Sequence, residues 1–253
     1  MPAPSRLPWP GLLALALAAC APSPAPAPAT TTPSATSAQP AGQAQNEVQA
    51  QKDLELYRKL LAENQLELAA PIGKEMIARF PQSAAAKEVQ TTLADITAKA
   101  DALTQKRRLQ GLWSYQSGKE SGGSQNTASI YSRGVGNDDR VRLILRRHSA
   151  WGQSAYLFGS GKGFDCSGNC MIGAHFDDQP VRRLKAYLPE TGEPAIFISD
   201  DKAFIERMGS AQSVSIDLVE KGKGARTLVF ETGGFEAARF PVLAKTPTAA
   251  KKK

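Results

Sequence analysis

The chain carries two cysteines in Phe164-Asp165-Cys166-Ser167-Gly168-Asn169-Cys170. Ser, Gly and Asn favour a turn, so in an oxidising compartment this pair is most simply a disulfide across a hairpin tip. The loop it closes is short, and the chain-entropy account gives it about 2 kcal/mol. A redox-active pair is the sharper alternative; against it, the spacing is CxxxC rather than CxxC and no thioredoxin-like βαβ pattern surrounds it. Zinc would need further ligands, and besides carboxylates the chain offers only His148 and His175. The reading therefore assigns no metal, no cofactor and no catalytic residue.

Parity along the surrounding strands decides how the histidines are read. Ile172, Ala174 and Phe176 share an apolar face, so His175 points the other way with Met171 and Gly173. His148 shares parity with Arg140, Arg142 and Arg146 on an outer basic stripe. Both histidines are expected at the surface rather than in a site. Arg140, Arg142 and Arg146, together with Arg183 and Lys185, form either a basic sheet face that recognises an acidic partner or a plainly solvated one. Gly159-Ser160-Gly161-Lys162-Gly163 lacks the Ser/Thr that a phosphate loop places after Lys, and no strand-to-helix context follows, so it reads as a turn. No G-x-S-x-G, H-E-x-x-H or S-x-x-K is present.

A third cysteine, Cys20, follows Leu17-Ala18-Ala19 at the end of a short apolar run. Residues 1–19 have the layout of a secretory signal, with Arg6 in the n-region, and the run is too short to span a bilayer. Leu17-Ala18-Ala19-Cys20 resembles the lipobox of bacterial lipoproteins, in which the cysteine sulfur is acylated and becomes the first residue of the mature chain. The resemblance implies a lipid anchor at Cys20, with the signal removed. Ala21 stands where Asp would signal inner-membrane retention, which favours the periplasmic face of the outer membrane.

Charge narrows the partners. The 253 residues carry a net charge of +7. Residues 111–240 hold 16 basic and 15 acidic side chains, and residues 21–110 hold 10 and 9. Most of the excess, five of the seven charges, is Arg6 plus Lys245, Lys251, Lys252 and Lys253. Phosphate neutralisation needs a basic surface on the folded domain, so nucleic acid is not an expected ligand.

The elements that must position these groups follow in order. Residues 20–45 are rich in Pro, Ala, Thr and Ser with no large apolar group, and read as a tether. From 46 to 110 apolar residues recur at helical spacing, with breaks near Asn64 and at Phe80-Pro81-Gln82-Ser83, so about three helices are predicted. Tyr57 to Ile96, with RFPQSAAAKE in its middle, resembles a single tetratricopeptide-type helical pair plus the start of the next helix; a coiled-coil stalk is the alternative. From Gly111 to about 240, nine stretches of period-two alternation and one capped helix after Ser199-Asp200-Asp201 predict an antiparallel β-sandwich or open barrel. Residues 241–253 form a Lys-rich tail. The class is α+β.

Residues 111 to about 238 also resemble the type VI secretion-associated VasI-like exported proteins. The resemblance rests on Trp113, the Cys166/Cys170 pair ahead of a strand ending His175-Phe176-Asp177-Asp178, Phe197-Ile198 before a helix, and Val229-Phe230-Glu231-Thr232-Gly233-Gly234. It implies a β-sandwich of the envelope with no transferable active site. The functional expectation is a membrane-tethered periplasmic lipoprotein acting as a non-catalytic interaction or envelope-assembly module with an unknown protein partner. An inhibitor or immunity lipoprotein acting on a toxin enzyme is one alternative. A periplasmic redox or hydrolytic enzyme using the Cys166/Cys170 region is the other.

Overall fold

The structure, a computed structural model, describes residues 41–120, 122–134 and 139–244. The signal segment, Cys20, most of the Pro-rich tether, residues 135–138 and the lysine tail lie outside these residues. Three helices come first: α1 (Ala41–Ala62), α2 (Leu66–Arg79) and α3 (Ala84–Gly111). α1 thus begins ahead of the boundary at 46 read from composition. Ala and Gln are good helix formers, and a drop in proline content marks the change better than the first charged residue does.

The two breaks have separate causes. Asn64 adopts φ 56°, the left-handed conformation that Asn tolerates. Around it the Gln65 N–H donates to Leu60 O (2.8 Å) and the Asn64 N–H to Leu61 O (3.0 Å), which closes the end of α1 in a Schellman motif. Ser83 Oγ accepts from the Ala86 N–H at 3.0 Å and caps α3. Pro71 lies inside α2. The helices pack on one another rather than forming a stalk, through Leu54, Tyr57, Ala69, Met76, Phe80 and Val89. Gly73 makes the approach close: a Cβ there would sit 2.8 Å from Leu93 Cδ1 and 3.0 Å from Tyr57 Cε2.

Nine strands follow: β1 (Ser114–Glu120), β2 (Gly123–Tyr131), β3 (Arg142–His148), β4 (Gly152–Phe158), β5 (Asn169–Phe176), β6 (Arg182–Tyr187), β7 (Ala195–Ile198), β8 (Val214–Glu220) and β9 (Gly224–Phe230). All nine form one antiparallel sheet in the order β1-β2-β3-β4-β7-β6-β5-β8-β9. This is the open alternative, not a two-sheet sandwich. The sheet curls so that inward side chains from β2 through β9 share one core, including Ile130, Leu143, Leu157, Ile172, Ile196, Ile216 and Phe230. Helix α4 (Asp201–Ser210), capped by Asp200 Oδ1 accepting from the Ala203 N–H, adds Phe204, Ile205 and Met208 to that core.

The helices and sheet meet at the C-terminus of α3. Arg108 donates both terminal nitrogens to the Glu231 carboxylate, at 2.7 and 3.1 Å. Gly234, in the 3-10 turn Thr232–Gly234, lies directly under Leu109 and Gln110, and Trp113 packs on Phe235 with ring centroids 5.0 Å apart. The Arg108 bond holds the Glu231 carboxyl below the usual carboxylate range, against a smaller opposing effect of burial.

Candidate functional site: an aromatic and arginine face on the curled sheet

Because inward positions of the sheet are apolar, outward positions are set by parity, and register brings them together. Arg142, Ile144 and Arg146 of β3 face outward opposite Tyr131, Ser129 and Thr127 of β2. Across β4 the same positions meet Phe158, Tyr156 and Ser154. Tyr156 pairs with Phe197 on β7, and Phe197 with Tyr187 on β6. Lys185 and Arg183 follow outward on β6, in register with Met171 and Gly173 of β5. Arg183 and Lys185 thus lie three strands from Arg142 and Arg146, about 14 Å at ordinary strand spacing. They share the face but not a cluster.

Aromatic rings fill the interval. Tyr156 stacks on Phe197 (centroids 4.6 Å apart, planes at 20°) and Tyr187 on Phe197 (5.5 Å, 22°). Rings stacked on one another across strands turn their edges to solvent, and the ring edge is the positive end of the aromatic quadrupole. The arginines reinforce that sign. Arg146 lies 5.6 Å from the Tyr156 ring centroid and 5.3 Å from that of Trp151; Arg140 and Arg142 lie 4.9 and 5.6 Å from that of Tyr131. Arg142 is fixed by donating to Ser129 Oγ (2.7 Å) and Arg146 by donating to Ser154 Oγ (3.2 Å). Burial raises the Tyr156 hydroxyl pKa, Arg146 and Arg142 lower it, and the Glu120 and Glu193 carboxylates at the end of β1 and ahead of β7 raise it again by a smaller amount. No carboxylate occupies an outward position of β2, β3, β4, β7 or β6. Tyr131, Trp151, Phe158 and Tyr187 are nevertheless each two-fifths or more exposed.

Such a face can hold carboxylates by charge, hydroxyl and ring-edge contacts. Within the ladder the Phe197 ring is covered on both sides, by Tyr156 and by Tyr187. The aromatic half of the site was missed in the sequence, although its signal was present: Tyr156, Phe158, Phe197 and Tyr187 have outward parity in strands whose alternate positions are aliphatic or alanine.

The remaining sequence candidates resolve individually. Cys166 and Cys170 form a disulfide, with Cα atoms 5.4 Å apart. His175 faces outward as expected and lies 3.3 Å from Asp217 Oδ2. His148 corrects the surface reading: it is 3% exposed. Its Nδ1 accepts from the Ala150 and Trp151 N–H groups (3.1 and 3.2 Å), so Nε2 carries the proton and donates to Glu120 O at 3.0 Å. The Trp151 ring covers it at 3.9 Å. This arrangement ties the β3–β4 turn to β1. Among the described residues no group of three or more His, Cys, Asp or Glu is placed to hold a metal. Cys20 lies outside the described residues.

No family model matches the chain, so neither the VasI-like nor the tetratricopeptide-type resemblance is matched by one. No curated protein matches it in sequence. Among solved structures it is similar to invasion associated protein B from Bartonella henselae, at 17% identity and a TM-score of 0.36, over 50% of this chain and 87% of that one. A likeness at that level assigns no function.

Proposed function

We propose that this chain is a lipid-anchored, non-catalytic binding module of the bacterial envelope whose outer sheet face takes an acidic protein partner. The carrying observation is the face itself, which holds Arg142, Arg146, Arg183 and Lys185 around the Tyr156–Phe197–Tyr187 ladder without an outward carboxylate on those five strands. Cys20 is the acylation site, residues from 20 to the start of α1 are the tether, and Ala21 favours the periplasmic face of the outer membrane. Two or more acyl chains make such anchoring durable, at about 0.8 kcal/mol per buried methylene. The Cys166–Cys170 disulfide suits an oxidising compartment, and its part in this reading is structural.

Two measurements test the reading. Incorporation of an alkyne-tagged palmitate into the full chain is expected and should vanish in Cys20→Ser; equal labelling of both proteins removes the anchor. Arg142→Glu with Arg146→Glu should weaken binding of an acidic polypeptide at least tenfold, with a steep loss on added salt. Binding unchanged by the double reversal removes the proposed face.

A further inference from the structure

On this face β5 and β8 part before their ends. β5 pairs with β6 along Asn169–Ala174 but with β8 only along Gly173–Phe176. Beyond Asp217, β8 is met instead by residues 163–165: the Asp165 N–H donates to Val219 O (2.8 Å), the Lys221 N–H to Gly163 O (2.9 Å), and Phe164 bridges Glu220. The disulfide joins the end of this inserted segment to the start of β5. Between β5 and β8 a hollow of about 590 Å³ is left.

Its chemistry differs from that of the strip beside it. Met171, Val181 and Val219 line it and are 43%, 52% and 41% exposed. Its floor exists because residue 173 is glycine: a Cβ there would lie 3.0 Å from Asp217 Oδ2 and 3.3 Å from Val181 Cγ2. The Asp217 carboxylate is already engaged, by the Thr227 hydroxyl at 2.6 Å and by His175 at 3.3 Å. Asp165 and Arg226 also border the hollow; the Arg226 guanidinium is paired with the Glu220 carboxylate, so the positive border lies on the β6 side. Arg183 and Lys185, in register with Gly173 and Met171, form its basic border.

We infer that this hollow seats an apolar side chain of the acidic partner, so that the ligand is an acidic segment with one aliphatic or aromatic anchor. The inference rests on the proposed function above. From Gly173 to Arg146 is four strand steps, about 19 Å, which an extended chain covers in roughly six residues. The anchor therefore lies roughly six residues from the end of an Asp/Glu-rich run.

The test uses the detergent-solubilised full chain and two fluorescein-labelled peptides, a run of six Glu followed by Leu and the same run followed by Ala. The Leu peptide is expected to bind about tenfold tighter, the effect of burying one aliphatic side chain. Gly173→Val should erase the difference while sparing the charge-driven part. Met171→Ser with Val219→Ser, both at solvent-facing positions, should do the same without touching the floor. Equal binding of the two peptides to the wild type overturns the anchor and leaves the acidic-partner reading standing. Binding of neither peptide at low salt overturns both. A preference for Leu that survives both sets of substitutions places the anchor elsewhere and overturns the inference.

Discussion

Substituting Gly234 by alanine tests whether the helices are fixed to the sheet. Gly234 does not have positive φ, so its backbone conformation is open to any residue and the need for glycine is one of space. A Cβ built there lies 2.1 Å from Leu109 C, 2.2 Å from Leu109 O and 2.3 Å from Gln110 N. All three are backbone atoms of α3, so no rotamer change relieves the overlap. The helix must lift from the 3-10 turn, loosening the Arg108–Glu231 pair and the Trp113–Phe235 contact together. Overpacking costs about 1–3 kcal/mol where side chains can adjust, and a backbone clash belongs at the upper end, about 3 kcal/mol. For a folded unit of this size that lowers the melting temperature by about 6–12 °C. Thermal unfolding followed by circular dichroism reads it. In a double-mutant cycle with Glu231→Gln, the second substitution should cost less in the Gly234→Ala background, because the same contact is already strained. A melting temperature within about 2 °C of wild type, or strict additivity, would refute the docking account.

Other outcomes follow from the same geometry. Cys166→Ser with Cys170→Ser should cost about 2 kcal/mol and loosen the segment at residues 163–165, read by denaturant unfolding and by faster hydrogen exchange at the Asp165 amide. His148→Leu strands the Ala150 and Trp151 amides and the Glu120 carbonyl, an expected loss of about 2–3 kcal/mol in a urea titration. The Glu231 carboxyl has a pKa below its ordinary value in the folded chain. Its contribution is therefore complete above the ordinary carboxyl pKa and lost as pH falls through the lower folded value. A pH series of melting temperatures should show a decline on the acid side that is shallower in Glu231→Gln.

The fold was largely legible because each rule had a clear local carrier. Ser83 and Asp200 announce helix starts through their side-chain oxygens, and the alternation in Val214–Leu218 fixes which side of β8 is buried. Curling one sheet around one core is a different matter. Period-two alternation says that a strand has an inner face, not whether that face meets a second sheet or the same one bent over. His148 shows the same limit at the level of one residue. Its outward parity was right, but parity gives the face and not the burial. The Trp151 ring three residues on and the edge of β1 cover it. The arginines were legible as a stripe, whereas their relation to Phe197 and Tyr187 depends on strand order, since β7 lies between β4 and β6 only after a crossover that local pattern does not encode. Gly173 and Gly234 were likewise silent, because their role is defined by neighbours distant in sequence.

The most direct test of the proposed face is site-specific photo-crosslinking in living cells, with a photoreactive phenylalanine analogue placed at Phe158 or Tyr187 and, for comparison, at Val48 or Leu68 on the helices. All four positions are exposed. The account predicts one acidic protein adduct from Phe158 and Tyr187, lost with Arg146→Glu and absent from the helical positions. Adducts from Val48 or Leu68 alone, or sheet-face adducts indifferent to Arg146→Glu, would contradict it.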